Sequence, residues 1–129
     1  MPDSPTQTAT QTILLVEDDD VVRMLTVEVL EELGYQVLQA EDGQQALAII
    51  NSDQHLDLLL SDIGLPGMSG PQLMVAAHEV RPTLPVLFAS GYAAQDYQTD
   101  ASSGAKVKTL TKPFSLDVLR NTVSEMLAG

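Results

Sequence analysis

Polar residues with chemically useful side chains directly follow four short apolar runs of this chain. In chain order they are Glu17 with Asp18, Asp62, Ser90 and Lys112. The carboxyl ends of the strands in an open parallel sheet share one edge, and ligands bind at that edge. If the apolar runs are neighbouring parallel strands, these side chains meet in space although they lie far apart in sequence. Carboxylates, a hydroxyl and a lysine around one crevice would suit a divalent cation together with a phosphoryl group.

The elements that must position these side chains alternate between strand and helix. Five short, largely apolar segments predict strands, namely 13–16, 35–40, 56–61, 85–89 and 106–111. The third is almost wholly apolar, as expected for a strand with helices on both faces of its sheet. Strands separated by helices pair in parallel through right-handed crossovers. The pattern therefore predicts an α/β fold with a five-stranded parallel sheet and five helices.

The segments between the strands carry apolar residues at helical spacing. The stripes expected to face the sheet are Val22, Leu25, Val29 and Leu33 in the first helix and Leu116, Leu119, Val123 and Leu127 in the last. Gly34 is expected to end the first helix, and Ser115 to begin the last as its N-cap. The segment 93–103 offers only alanines and Tyr97 as an apolar face, so we expect its helix to be short or poorly ordered.

Composition limits the class of protein. At 129 residues the chain is long enough for one domain with its own hydrophobic core, and it has no cysteine for a disulfide or a thiolate metal site. A net charge of −12 opposes binding to nucleic acid and to anionic lipid. No apolar run is long enough to span a bilayer. We therefore expect a cytoplasmic protein, a monomer or weak dimer, that binds neither nucleic acid nor membrane.

The N-terminal segment differs in composition from the rest of the chain. Residues 1–11 are polar, contain two prolines and show no hydrophobic period, which is typical of a flexible tail or linker. The single domain is predicted to occupy residues 12–129.

Glu17 and Asp18 are the first candidate metal ligands. Acidic residues are rare in strands and costly to bury unpaired. Two of them directly after a buried strand, combined with Asp62, favour a metal site over a chance loop. Oxygen ligands without His or Cys indicate Mg²⁺ or Mn²⁺. Asp19 and Asp20 are better explained as acids that interact favourably with the N-terminus of the following helix.

Asp62, Lys112 and Ser90 are candidates for phosphoryl chemistry. A carboxylate such as Asp62 can form an acyl phosphate when a metal and a cation neutralise the phosphoryl oxygens. Taken alone, an Asp at the start of a loop is more often part of an Asx turn, and Lys112 could equally be a surface lysine before a turn. Its place after the last strand favours a phosphate clamp, and Ser90 would add a hydroxyl. Gly64 and Gly91 would let the backbone approach a ligand closely.

Four motifs in this order resemble the receiver domain of two-component signalling proteins, over about residues 13–127. They are Val16-Glu17-Asp18 with Arg23, Asp62 with Leu65-Pro66-Gly67-Met68-Ser69-Gly70, Phe88-Ala89-Ser90-Gly91, and Leu110-Thr111-Lys112-Pro113-Phe114. The Ser-Gly-Tyr and Thr-Lys-Pro-Phe segments look most like receivers attached to hybrid sensor histidine kinases. The resemblance implies a flavodoxin-like, three-layer sandwich with strand order 2-1-3-4-5.

The same resemblance implies roles for the candidate residues. Asp62 would accept a phosphoryl group from a phosphohistidine on a sensor histidine kinase or a histidine phosphotransfer protein. The groups that would hold Mg²⁺ are Glu17, Asp18, Asp62 and the backbone carbonyl of Gly64. The groups that would hold the phosphoryl oxygens are Lys112, Ser90 and the backbone amides of Gly64 and Gly91. The protein would then be a switch for a partner, and not an enzyme beyond its own phosphorylation and dephosphorylation.

Three positions depart from the common receiver pattern. Glu17 stands where a second aspartate is commonest, and its longer side chain should still reach the metal directly or through water. Ser90 replaces the commoner threonine and keeps the hydroxyl. Thr109 occupies the position where many receivers have a switching aromatic residue, so Tyr92 or Tyr97 is expected to take over that part.

Three other functions compete with this interpretation. A phosphatase of the haloacid-dehalogenase type also uses an aspartate nucleophile with Mg²⁺, but it would need a second acid where this chain has Gly64. A flavin or nucleotide carrier would need a phosphate-binding loop after the first strand, where this chain has four consecutive acids. A receiver that binds a partner with little phosphorylation would normally lack the aspartate, the lysine or the hydroxyl.

Overall fold

The protein is described here by a computed structural model, which covers residues 10–90, 106–112 and 114–127. In chain order the elements are β1 (Thr12–Val16), α1 (Asp20–Glu32), β2 (Gln36–Ala40), α2 (Gly43–Ile50), β3 (Leu58–Asp62), α3 (Gly70–Val80), β4 (Val86–Ser90), β5 (Val107–Thr111) and α4 (Leu116–Leu127). The helix predicted within 93–103 lies outside the described residues, as do Gly91, Tyr92, Tyr97 and Pro113.

The five strands form one parallel sheet in the order β2-β1-β3-β4-β5. The predicted strand order is therefore confirmed. The register places Val16 beside Ser61 and Asp62 beside Ala89, so β1, β3 and β4 end side by side. The residues that follow these strands consequently converge on one edge of the sheet.

Alternate residues of the strands point to opposite faces of the sheet, and each face has its own apolar layer. On one face, Leu14, Leu59 and Phe88 pack with buried residues of α2 and α3. On the other face, Leu15 and Leu60 pack with buried residues of α1 and α4. The sheet is thus covered on both sides, which explains why its central strands are apolar without alternation.

Each of two helices departs from its predicted stripe at one exposed residue, whereas Leu119 and Val123 of α4 are buried as predicted. Leu25 in α1 is 54% exposed and Leu116 in α4 is 50% exposed, whereas Val27 and Leu30 of α1 are buried. The predicted inward orientation of Leu25 and Leu116 is therefore wrong. Both helices carry apolar residues on adjoining faces, and spacing alone cannot select the stripe that the sheet covers.

Caps fix both ends of α1 and thereby the position of the acids that precede it. The Asp19 side chain accepts hydrogen bonds from the backbone N–H groups of Val21 (2.9 Å) and Val22 (3.1 Å), which makes it the N-cap. Gly34 follows the helix with φ of 100°, a conformation that glycine adopts without strain. Both ends agree with the sequence-based prediction. Among the described residues, no helix combines the length and apolar character needed to cross a membrane.

Candidate functional site

The carboxyl edge of the sheet brings together three of the predicted site residues. Glu17 and Asp18 follow β1, and Asp62 is the last residue of β3. One carboxylate oxygen from each of them lies within 4.8 Å of the others. Since β1 and β3 are hydrogen-bonded neighbours in register, their ends cannot lie far apart. The clustering predicted from the strand pattern is what the fold produces.

Lys112 enters the same cluster from the end of β5. Its Nζ lies 3.1 Å from Asp62 Oδ1 and 3.3 Å from Glu17 Oε1. Its backbone N–H donates to the carbonyl of Ser90 at 2.6 Å, which ties the end of β5 to the end of β4. One ammonium therefore faces a group of three carboxylates, and the site is strongly electronegative.

Glu17 is the most buried acid of the cluster, with 6% of its surface exposed. Its Oε2 accepts a hydrogen bond from the backbone N–H of Asp19 at 3.1 Å. Burial raises the pKa of the Glu17 carboxyl above its ordinary value, and the nearby negative charge of Asp62 acts in the same direction. The hydrogen bond from Asp19 and the charge of Lys112 oppose this shift without cancelling it. The Glu17 carboxylate is thus held at a free-energy cost that a bound cation would relieve.

Lys112 is shifted toward its charged form. Burial alone would favour the neutral amine, but the hydrogen bonds and negative charges of Asp62 and Glu17 outweigh it and raise the pKa of Lys112 above its ordinary value. The Lys112 side chain is therefore protonated at neutral pH and lies next to the Asp62 carboxylate. A group of that kind can neutralise a phosphoryl oxygen.

The loop that follows Asp62 ends at Gly70, whose backbone binds back to the start of the loop. The Gly70 N–H donates to the Ile63 carbonyl at 2.8 Å, and a Cβ at Gly70 would lie 2.7 Å from the Asp62 carbonyl oxygen. The start of α3 is thus packed against the backbone of the candidate nucleophile. Gly64, within the loop, is exposed and has open space where a Cβ would stand. The backbone of Gly64 is therefore open to a ligand, and its part in binding one stays a prediction.

Ser90 and Gly91 complete the predicted set. Ser90 is the last residue of β4, is 6% exposed, and follows Ala89, the register partner of Asp62. It therefore lies at the same edge of the sheet as the carboxylates. Gly91 lies outside the described residues, so its part in binding a ligand stays a prediction.

Arg23 is a further residue of the site. Its Nη1 donates to the backbone carbonyl of Glu17 at 2.8 Å, and Nη2 contacts Asp20 Oδ1 at 2.6 Å. The i,i+3 spacing indicates the contact with Asp20, but nothing in the sequence indicates the contact with Glu17. The acceptor is a main-chain oxygen, which has no residue-specific signature in a sequence.

Comparison with known proteins agrees with this geometry. The family model for the response regulator receiver domain matches residues 13–124. The chain belongs to the receiver domain family. It is 41% identical over 117 residues to the sensor kinase CckA of Brucella abortus and 37% identical over 115 residues to the response regulator receiver protein CpdR of the same organism. These alignments cover 90% and 89% of this chain, 12% of CckA and 95% of CpdR.

A solved receiver domain shows the same fold with a metal in its cleft. The receiver domain of sensor histidine kinase PA1611 from Pseudomonas aeruginosa, described with a magnesium ion coordinated in the active site cleft, superimposes with a TM-score of 0.80 at 29% identity. The match covers 94% of this chain and all of that one.

These comparisons settle the class of protein. The chain is a receiver domain of two-component phosphorelay signalling, similar to receivers of hybrid sensor kinases, as its motifs indicated. They give no support to the haloacid-dehalogenase alternative. The chain spans only about an eighth of the length of the sensor kinase CckA, since it covers 12% of that protein.

Proposed function

We propose that Asp62 of this receiver domain accepts a phosphoryl group from a phosphohistidine in a Mg²⁺-dependent reaction. The observation that carries the proposal is the Asp62 carboxylate itself, which lies 3.1 Å from the Lys112 ammonium and within a cluster of three carboxylates. A nucleophilic oxygen, a fixed cation and a cation-binding group of acids then stand in one crevice. Together these are the parts that transfer to a carboxylate requires.

The donor set fits Mg²⁺. Glu17, Asp18 and Asp62 each offer a carboxylate oxygen, and Mg²⁺ prefers a small number of such oxygens together with water and phosphoryl ligands. The cation would neutralise charge on the transferring phosphoryl group. The backbone carbonyl of Gly64 stays a proposed fourth protein ligand, and Mn²⁺ would suit the same oxygens.

The chemistry assigned to the protein's own groups is simple. An oxygen of Asp62 attacks the phosphorus of the phosphohistidine and forms an acyl phosphate. The P–N bond breaks, and the imidazole nitrogen keeps the electron pair and takes up a proton. Lys112 stabilises negative charge on the phosphoryl oxygens throughout, with the Ser90 hydroxyl and the amides of Gly64 and Gly91 as further proposed donors.

The phosphodonor is proposed to be a sensor histidine kinase or a histidine phosphotransfer protein. The similarity to receivers of hybrid kinases supports such a partner. We also propose a cytoplasmic location, because ATP, the source of a histidine kinase's phosphoryl group, is found there. Residues 12–129 would form the switch, phosphorylation would be its input, and its own phosphorylation and dephosphorylation would be its only chemistry.

The test is phosphoryl uptake by the Asp62→Asn variant. Wild-type protein incubated with acetyl phosphate and Mg²⁺ should gain one phosphoryl group by intact mass, and the gain should vanish with EDTA. Asp62→Asn should gain none, because an amide is not a nucleophile of this kind. Asp53→Asn is a matched control: it removes an exposed acid from the loop before β3, at the opposite edge of the sheet.

Two results would overturn the proposal. Uptake by Asp62→Asn at the wild-type level would place the acceptor elsewhere. Lack of uptake by the wild-type protein, from acetyl phosphate and from a phosphorylated histidine kinase alike, would indicate a receiver that binds its partner without phosphorylation.

A further inference from the structure

Arg23 joins three elements around the metal-binding end of β1. Its guanidinium donates to the Glu17 carbonyl at 2.8 Å, to Asp20 Oδ1 at 2.6 Å and to Gln39 Oε1 of β2 at 3.3 Å. The Arg23 side chain is only 13% exposed. The Glu17 carbonyl is a main-chain acceptor, and the side chains of Asp20 and Gln39 orient the planar fork of the guanidinium toward it.

The Glu17 carbonyl belongs to the peptide unit that joins the two candidate metal ligands. Because a peptide unit is planar, holding its oxygen fixes ψ of Glu17 and φ of Asp18 together. These two dihedral angles set the directions in which the two carboxylates point relative to each other. The bond from Arg23 therefore bears on the geometry of the metal site, although Arg23 offers it no ligand.

The other side of Glu17 is held independently. Its backbone N–H donates to the Ala40 carbonyl of β2 at 3.1 Å, and its Oε2 accepts from the Asp19 N–H at 3.1 Å. Arg23 supplies the restraint on the carbonyl side. With that restraint removed, the peptide between Glu17 and Asp18 could rotate while the strand stays paired.

We propose that Arg23 is a positioning residue for the cation site, acting through the Glu17–Asp18 peptide. The proposal rests on the Mg²⁺ binding proposed above. Loss of a partner that orients metal ligands typically weakens metal affinity by about 10- to 100-fold. We expect a loss of about tenfold in Mg²⁺ affinity, at the lower end of that range, because the other restraints on Glu17 remain.

A simple charge effect predicts the opposite sign. Arg23 is a cation and repels Mg²⁺, so its replacement by a neutral residue should tighten Mg²⁺ binding if only charge matters. Arg23→Gln therefore sets the two explanations against each other. Arg23→Lys keeps the charge but lacks the planar fork that contacts three acceptors, so a weakening there has no contribution from lost charge.

A matched control variant is Arg81→Gln. Arg81 also binds main-chain oxygens through its guanidinium, namely those of Ile50 (3.0 Å), Ser52 (3.0 Å) and Gln54 (2.7 Å). These contacts lie at the last residue of α2 and in the loop before β3, away from the carboxyl edge of the sheet. Arg81→Gln should lower thermal stability and leave Mg²⁺ affinity unchanged.

The experiment is a Mg²⁺ titration of each ¹⁵N-labelled protein at constant ionic strength, followed by amide chemical shifts, with melting temperatures recorded in EDTA. The expected result is a roughly tenfold higher Kd for Arg23→Gln and a higher Kd for Arg23→Lys, with wild-type affinity in Arg81→Gln. If Arg23→Lys binds Mg²⁺ with wild-type affinity while Arg23→Gln binds it more weakly, one donor at the Glu17 carbonyl suffices for positioning.

Two results would overturn the inference while leaving the proposed function intact. One is wild-type or tighter Mg²⁺ binding by both Arg23 variants. The other is an equal loss of affinity in Arg81→Gln, which would reduce the effect to general destabilisation. A wild-type protein that binds no Mg²⁺ would instead refute the proposed metal site itself, and the role of Arg23 with it.

Discussion

Replacing Asp18 by asparagine should stabilise the metal-free protein and abolish its stabilisation by Mg²⁺. Asp18 is exposed, and its carboxylate oxygen lies within 4.8 Å of those of Glu17 and Asp62. These like charges repel one another, and the single ammonium of Lys112 contacts Glu17 and Asp62. Asparagine removes one charge with little change in volume, so the expected effect is electrostatic.

The magnitude follows from the distance. Two unit charges 4.8 Å apart repel by about 0.9 kcal/mol in the dielectric of water, which is the appropriate medium for an exposed group. Salt at 0.15 M, with a Debye length of about 8 Å, reduces each repulsion by roughly half. Loss of two such repulsions therefore stabilises the metal-free protein by about 1 kcal/mol. For a domain of this size that corresponds to a rise in Tm of about 3–5 °C.

The assay is thermal unfolding in EDTA and in MgCl₂, with NaCl added to match ionic strength. Wild-type protein should gain about 1.4 kcal/mol at a Mg²⁺ concentration ten times its Kd, and Asp18→Asn should gain nothing measurable. Asp53→Asn removes the same unit of charge at the other edge of the sheet and controls for the net charge of −12. Its Tm in EDTA should stay close to that of the wild type.

Two outcomes would refute this reasoning. If Asp18→Asn and Asp53→Asn melt at the same temperature in EDTA, repulsion within the cluster does not destabilise the protein. If Asp18→Asn is stabilised by Mg²⁺ as much as the wild type, Asp18 is not a ligand.

Two further predictions concern the buried parts of the site. The folded-state pKa of Glu17 is raised above its ordinary value of 4.5. The stability that Glu17 contributes is therefore fully present below pH 4.5 and is lost as the pH rises through the folded-state pKa. The stability of wild type relative to Glu17→Gln, measured by urea unfolding in EDTA, should therefore fall as the pH rises above 4.5, and parallel pH profiles would contradict this. Gly70→Ala should lower stability by about 1–3 kcal/mol, because its Cβ would lie 2.7 Å from the Asp62 carbonyl oxygen and 3.1 Å from Phe88 Cε1. Gly64→Ala, whose Cβ would meet nothing within 4 Å, is the control in the same unfolding experiment, and an equal loss in both variants would show that crowding at Gly70 is not the cause.

The sequence by itself determined the order of the elements and the membership of the candidate site. Short apolar runs separated by amphipathic segments allow few topologies, because parallel strands need helical crossovers of one hand. Residues that directly follow such strands must lie at one edge, whatever the details of packing. Glu17, Asp18, Asp62 and Lys112 could therefore be grouped before any contact was known.

The tertiary structure decided what those residues contact and how strongly they are perturbed. The buried face of α1, with Leu30 inside and Leu25 exposed, depends on how the helix lies across the sheet. The raised pKa of Glu17 depends on burial by neighbours from several elements. The bond from Arg23 ends on a backbone carbonyl, and every residue has one. The local sequence pattern indicates which residues follow the end of each strand. Burial and main-chain contacts depend on the distances between elements, and a local pattern gives no information about those distances.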